Sequence, residues 1–479
     1  MLDILDILLS GVMITDLVVR STASKLHNSM PFIWAFTSSF TDVRKGHLAV
    51  VARRSGQWRY RNEPPMTDTT IHNPDRFMAD LRQILSQGKK RIGLLLGAGA
   101  PVSVRVNAEG KLDAVGDPLI PDVARLTKIV VGDLAAEDRE AIEKLLPELG
   151  DNPNIEIILT RVRRLSQAIG AAEVHGLNGT AYEGLAQRIC QKIGAIVASS
   201  LPEEPNAFTE LVAWIGGTQR DHPIEIFTPN YDLLLEEAFE RARLPYFDGF
   251  TGSHKPFFDP TSISDDSLPP RWSRMWKIHG SLGWEVKPDA IIRTGSREAT
   301  QLIYPDHLKY EQIARQPYSA LFERLRDFLT TPDTILICSG FSFFDAHICA
   351  VLDEALSSNT HTAVLAFQFK PLEEEELAVK LALRRPNLSV YARDGAVIFG
   401  IKGKWRPGEP PTEEWKSIRR TFWQSDAGGD GQFVLGDFAR LARFFALAQA
   451  TDILSRPAVS AGDDAKETEA LLAAGTESA

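Results

Sequence analysis

Five short apolar runs set the terms on which this chain can fold. Residues 92–96, 224–227, 275–278, 334–338 and 362–367 hold only four to six residues each, and each ends in glycine or polar residues. Runs that short, with no polar face, read as strands buried on both sides. Helical patterns stand between them. Asn73-Pro74-Asp75 supplies an N-cap, a proline at the first helical position and an acid in the first turn, Phe77, Leu81, Ile84 and Leu85 follow at helical spacing, and Gly88 closes the segment. Strands alternating with helices predict an α/β fold, a parallel sheet with helices on both faces. Residues 120–220 interrupt the alternation with predicted helices over 136–149, 155–169, 182–197 and 208–215, a helical insertion module. Residues 388–392 and 395–400 read as a final hairpin around Arg393-Asp394.

Composition narrows what such a fold serves. With 479 residues, 44% of them hydrophobic, the chain can bury a large core. Its 53 Lys and Arg against 63 Asp and Glu leave a net charge of −10, and a bulk nucleic-acid binder needs a basic face instead. Cys190, Cys338 and Cys349 are too few and too scattered for a disulfide framework or a four-thiolate zinc site, so no metal is expected and the compartment reads as reducing and cytoplasmic. The apolar opening is broken by Asp3, Asp6 and Asp16, which fits neither a signal peptide nor a membrane span.

Four regions are expected. Residues 1–65 carry eight Lys or Arg against five Asp or Glu, lack a sustained period and end in Asn62-Glu63-Pro64-Pro65 before Met66. They read either as upstream sequence or a poorly ordered extension, with Met66 a natural start, or as a small accessory layer. Residues 66–400 form the main domain, 401–454 a helical or irregular segment, and 455–479 a flexible tail rich in Ala, Gly, Ser, Asp and Glu.

In a Rossmann-like sheet ligands bind beyond the carboxyl ends of the strands. The residues there are Gly97-Ala98-Gly99, then Thr228-Pro229-Asn230-Tyr231-Asp232, then His279-Gly280-Ser281, then Ser339-Gly340-Phe341-Ser342-Phe343-Phe344-Asp345. Each has an ordinary structural reading. Gly-x-Gly makes a tight turn or lets backbone N–H groups approach a phosphate. Asn230 and Asp232 cap the helix that follows or serve a site, and His279 is a core histidine or a base. Their order and common placement favour one cleft. Residues 248–271, rich in Ser, Pro, Asp and Gly, read as a surface loop or a cover for it.

As a set these motifs resemble the sirtuin-like (silent information regulator) NAD-binding domain, and more closely its bacterial antiphage branch, which hydrolyses NAD+. The family's Gly-Ala-Gly loop, Thr-x-Asn-x-Asp, His-Gly and Gly-x-Ser loop are matched by Gly97-Ala98-Gly99, Thr228 to Asp232, His279-Gly280 and Gly340-Phe341-Ser342, with Tyr304-Pro305 and Asp345 fitting the bacterial branch. The resemblance covers about residues 90–400 and implies Asn230 and His279 as catalytic, with Gly97, Ala98, Gly99, Thr228, Asp232, Gly340, Ser342 and Asp345 binding the dinucleotide or supporting its loops. It further implies a homo-oligomer and a HerA-type ATPase partner, and no P-loop for an ATP-driven step occurs in this sequence. Departures matter too. The two Cys-x-x-Cys pairs of the deacylases are absent, and Pro229 stands where they carry glutamine, which disfavours protein deacylation. Pro101 stands where the family's glycine loop often has serine. A deacylase and a non-catalytic NAD-sensing scaffold of an ATPase or nuclease complex remain the alternatives. A dehydrogenase is disfavoured by the missing third glycine.

Overall fold

The structure is a computed structural model that describes residues 53–54, 57–58, 70–150, 153–264, 267–287, 290–297, 316–425 and 431–448. The chain divides into two units, Met1–Asp68 and Thr69–Ala479. In the first, Arg53–Arg54 pairs antiparallel with Gln57–Trp58. The rest of the expectation for residues 1–65 lies outside the described residues, as do Tyr304-Pro305 and the 455–479 tail.

The second unit is built on ten strands: β1 (Ile71–His72), β2 (Arg91–Leu96), β3 (Glu225–Thr228), β4 (Tyr246–Phe247), β5 (Ser273–Lys277), β6 (Thr334–Ser339), β7 (Ala363–Phe367), β8 (Leu388–Tyr391), β9 (Gly395–Ile398) and β10 (Ile401–Trp405). They form one sheet in the order β1-β10-β9-β8-β7-β6-β2-β3-β5-β4. Seven of the nine pairings are parallel, and only β8–β9 and β9–β10 are antiparallel, so the sheet is the mostly parallel α/β type that the alternation predicted. Alternate side chains feed two cores. On β6, Ile335 and Ile337 join one apolar cluster while Leu336 and Cys338 join the other. This two-sided burial is why these strands carry no polar period.

The helices are α1 (Pro74–Gln87), α2 (Gly99–Val102), α3 (Val123–Gly132), α4 (Ala136–Leu145), α5 (Ile155–Ala168), α6 (Gly179–Val197), α7 (Ala207–Gly217), α8 (Leu234–Ala242), α9 (Tyr318–Thr330), α10 (Ala346–Ser358), α11 (Glu376–Arg384), α12 (Glu413–Phe422) and α13 (Phe438–Ala448), leaving aside the single turn Pro260–Ser264. The α1 boundaries follow the caps: the Asn73 side chain accepts from Asp75 N, and Gly88 is left-handed at φ 65°. The insertion holds together through its own pairs, Arg188 clasping Asp138 at 2.6 and 2.7 Å to join α6 to α4.

Two expectations meet a different outcome. The sheet does not end at residue 400: β10 pairs with β9, and α13 packs beyond it with Phe445 against Trp214 of α7. The 248–271 stretch is not an open loop either. Phe250–Thr251 and Phe257–Phe258 join Trp284–Val286 and Ile291–Arg293 in a small four-stranded sheet, where Trp284 packs on Phe250 at 5.0 Å. Short aromatic pairs of this kind carry too little period to be read as strands.

Candidate active site

The chain reverses direction across the sheet at β2, running from it to β3 and β5 on one side and returning to β6 on the other. Ligand crevices form at such switch points, beyond the carboxyl ends of the strands. The loops leaving β2 and β6 interlock there. Gly97 N donates to Ser339 O at 3.0 Å and Gly99 N to Gly340 O at 2.9 Å. A Cβ on Gly97 would lie 2.4 Å from Gly340 O, one on Gly99 2.7 Å from Gly340 Cα, and one on Gly340 2.5 Å from Ala100 N. Gly340 also sits at φ 63°, where other residues are strained. The expected reason for Gly97 and Gly99, N–H groups offered to a phosphate, therefore needs correction. Their amides are spent on the neighbouring loop, and the missing side chains let the two loops touch. Ala98 N–H keeps no partner among the described residues, and Ala98 is an exposed residue.

The loop after β3 is drawn onto the same turn. Thr228, almost wholly buried, donates from Oγ1 to Leu96 O at 2.7 Å and accepts from Asn230 N at 3.1 Å. Asn230 Nδ2 donates to Gly97 O at 3.0 Å. With the amide nitrogen committed, the half-buried Asn230 turns an acceptor, Oδ1, toward no protein donor among the described residues. Thr228 thus positions Asn230, and its one hydroxyl proton is committed to Leu96 O.

From β5 comes His279, buried, with Nε2 3.0 Å from Asp345 Oδ2. An ionised carboxylate only accepts, so Nε2 carries a proton in this pair, and the neutral form of the ring has its basic lone pair on Nδ1. The other Asp345 oxygen, Oδ1, accepts from His347 N and Ile348 N at 2.9 and 3.0 Å, capping α10. Asp345 thus ties the imidazole to the first turn of α10. Phe322 lies beside the imidazole, ring centres 6.4 Å apart. Ser342 is exposed on the same loop. Phe343, at φ 60°, turns the chain so that Phe344 faces out and Asp345 faces in.

Asp232 departs furthest from expectation. Its Oδ1 accepts from Leu234 N at the start of α8, its carbonyl receives Lys277 Nζ, and burial pushes its carboxyl above the usual range although Lys277 opposes this. It is a buried anchor. Lys277, on the last position of β5 and 2% exposed, is the functional residue that sequence reasoning missed: Nζ also pairs with Glu236 Oε1 at 3.2 Å. The Glu236 carboxyl is likewise raised by burial, Lys277 pulling the other way. Backbone bonds complete the joint, Ile278 N to Thr228 O at 2.9 Å and Leu282 N to Tyr231 O at 3.0 Å, so the Asn230 and His279 loops are stitched together. A lysine at the end of an apolar strand, two residues before His279-Gly280, was the available signal, since buried charge demands a partner. Across β5, Arg324 clasps Glu225 at 2.6 and 2.8 Å and Trp276 Nε1 donates to it at 2.8 Å, fixing α9 to β3.

Among the described residues no cluster of His, Cys, Asp and Glu could hold a metal ion, and no helix is long and apolar enough to cross a membrane. Fold and crevice together define an α/β protein whose candidate site lies at a topological switch point. Residues 224–390 match the family model of the SIR2-like domain, a span that runs from the start of β3 into β8 and contains Asn230, Lys277, His279 and Asp345. That match fits an NAD-using enzyme. No curated protein matches the chain.

Proposed function

We propose that the protein is an NAD+ glycohydrolase, cleaving NAD+ to nicotinamide and ADP-ribose. The observation that carries the reading is the meeting of Asn230, tied to Gly97, with His279, tied to Asp345, at the carboxyl edge of adjoining strands. In the reaction the bond from ribose C1′ to the nicotinamide nitrogen breaks, its electron pair neutralises the pyridinium, and a water oxygen bonds C1′. Neutral nicotinamide leaves without acid catalysis, so the protein's work is positioning and charge stabilisation. Asn230 Oδ1 accepts from a ribose hydroxyl or the attacking water. His279 takes the water's proton, directly or through a ribose hydroxyl, and Asp345 holds the imidazolium that results. Ala98 N–H and the Ser342 hydroxyl stand ready for the pyrophosphate and ribose.

Unchecked hydrolysis would drain the NAD+ of the cell that makes the enzyme. The activity is therefore gated, by a HerA-type ATPase partner or by assembly, and serves as the effector of a cytoplasmic antiphage response. Chromatography of NAD+ incubated with the protein, alone and with the neighbouring ATPase and without acylated peptide, tests this. Nicotinamide and ADP-ribose formed by the intact protein and not by Asn230→Ala support hydrolysis; NAD+ surviving in every mixture defeats it.

A further inference from the structure

The carboxyl edge of the sheet continues past the crevice, and the residues there are aromatic and cationic. Gln368, buried just beyond β7, donates from Nε2 at 3.1 Å to the carbonyl of Phe341, the residue before Ser342. The next residue, Phe369, is 57% exposed, and the Arg393 guanidinium lies over its ring, 4.9 Å from the centre. Arg393 N donates to Lys370 O at 3.2 Å, so two cations from adjoining loops share this corner. Arg393 makes no ion pair among the described residues, and Lys370 meets Glu374 at 3.6 Å on the surface, a pair that contributes little. Two other carboxylates, Glu375 and Asp394, each spend an oxygen on the loop backbone, accepting from Lys370 N at 3.2 Å and Leu372 N at 2.9 Å.

The stretch before α13 holds the corner from behind. Phe433 N donates to Arg393 O at 3.0 Å, and a Cβ on Gly436 would lie 2.1 Å from Gln368 O and 2.7 Å from Phe369 Cα. Phe433 also stacks on Phe367, the last residue of β7, with ring centres 6.1 Å and planes 14° apart. Arg393, Phe433 and Gly436 all lie beyond the 224–390 span of the SIR2-like match, so that match reaches neither the guanidinium nor its support.

We propose that Phe369, Lys370 and Arg393 hold the adenosine end of the dinucleotide and read a 2′-phosphate on its ribose, so that NADP+ is a substrate of this site as well as NAD+. The inference rests on the glycohydrolase reading above. From Asn230 beyond β3 to Phe369 beyond β7, the order β3-β2-β6-β7 crosses three strand spacings, ~14 Å, and Arg393 beyond β8 lies one further. An extended dinucleotide covers that distance with its nicotinamide ribose at Asn230 and His279 and its pyrophosphate across the β2–β6 turn. Its adenine then meets Phe369, an exposed ring on which a base can stack. The argument for a phosphate is electrostatic. Sites that select the unphosphorylated ribose set a carboxylate near it to accept from the 2′-hydroxyl, whereas an arginine accommodates a 2′-phosphate. Here β7 runs out into Gln368-Phe369-Lys370, the Gln368 amide nitrogen is committed to Phe341, and a guanidinium and an ammonium face a dianion together. The bond cleaved is the one broken in NAD+, and the 2′-phosphate on the far ribose is untouched.

The two hydrolysis products serve as probes, because both carry the adenosine end and neither needs turnover. Calorimetry on the full chain at low salt should find 2′-phospho-ADP-ribose bound on the order of tenfold tighter than ADP-ribose, the size of a charge-assisted contact. Arg393→Gln and Lys370→Gln should each remove much of that margin and leave ADP-ribose binding nearly unchanged, and added salt should shrink it in the wild type. Phe369→Ala should weaken both products alike, by about tenfold, through the lost stacking. NADP+ given to the protein should yield nicotinamide and 2′-phospho-ADP-ribose. Products bound equally well, neither product bound, or Arg393 and Lys370 variants that weaken ADP-ribose as much would overturn the proposal, and NAD+ hydrolysis in the same samples would leave the glycohydrolase reading standing. The expected margin in a chain that leaves NAD+ intact in every mixture would uphold the subsite and defeat hydrolysis alone.

Discussion

The imidazole of His279 and the carboxylate of Asp345 lie 3.0 Å apart, and that carboxylate spends its second oxygen on the first turn of α10. One residue thus orients the base and caps a helix, and the two duties separate under substitution. Asn caps a helix about as well as Asp but brings no negative charge to an imidazolium. Asp345→Asn should therefore keep Tm nearly unchanged and lower kcat for nicotinamide release by about 10² to 10⁴-fold, the usual size of a general-base contribution. Asp345→Ala should lose activity and also about 1 kcal/mol of stability with the cap. Steady-state kinetics beside thermal melts check both, and an active Asp345→Asn enzyme would reduce the pair to a structural contact.

Asn230 is fastened by its amide nitrogen to Gly97 O, which fixes where Oδ1 points. Asn230→Asp replaces that donor with an oxygen facing a carbonyl, so the side chain must rotate away. Turnover should fall below detection, whereas NAD+ affinity, read by calorimetry, should change only a few-fold. Affinity lost in parallel with turnover would mean that Asn230 holds the ground state and not the reacting geometry.

The skeleton was legible in the sequence because burial on two faces leaves a plain mark. The runs at 92–96 and 334–338 became β2 and β6 to within a residue. The caps of α1 were equally plain, since Asn73 and Gly88 act on their immediate neighbours. What stayed hidden depends on partners far along the chain. Gly97 and Gly340 are 243 residues apart, and only the folded sheet shows that each is a glycine to let the other's loop pass. β10 was obscured because Lys402 and Lys404 alternate with Gly403 on a strand near the sheet edge. Asp232 reads as a ligand group because it shares a motif with Asn230, but its carboxylate caps the start of α8 and its carbonyl receives Lys277.

The contact between the β2 and β6 loops should be sensitive to one methyl group. Gly340→Ala puts a Cβ 2.5 Å from Ala100 N at a residue with φ 63°. The left-handed conformation alone costs about 1–2 kcal/mol, and the overlap adds a comparable amount by forcing the loops apart. Both Tm and NAD+ affinity should drop, because Ala98 and Asn230 hang from the displaced turn. A Gly340→Ala protein with wild-type affinity would place the nucleotide elsewhere.

Buried charge behind the site gives a prediction whose sign depends on pH. Lys277→Met leaves the buried Glu236 without its cation, a change that typically costs about 3–5 kcal/mol. Adding Glu236→Gln should recover much of this stability, but turnover should stay low, because the tie from Lys277 to Asp232 O is still missing. Glu236→Gln alone is more revealing. Burial raises the Glu236 carboxyl in the folded chain above its unfolded value, despite Lys277. The folded state then binds the proton more tightly, so this group favours folding below the unfolded pKa, and that contribution is lost as pH rises through the folded one. The amide has no such dependence. Urea melts of Glu236→Gln against wild type should show a stability difference that moves in the variant's favour from pH 4 to pH 7. A difference that moves the opposite way would mean that Lys277 holds Glu236 ionised, and that the ammonium, not burial, governs this corner of the site.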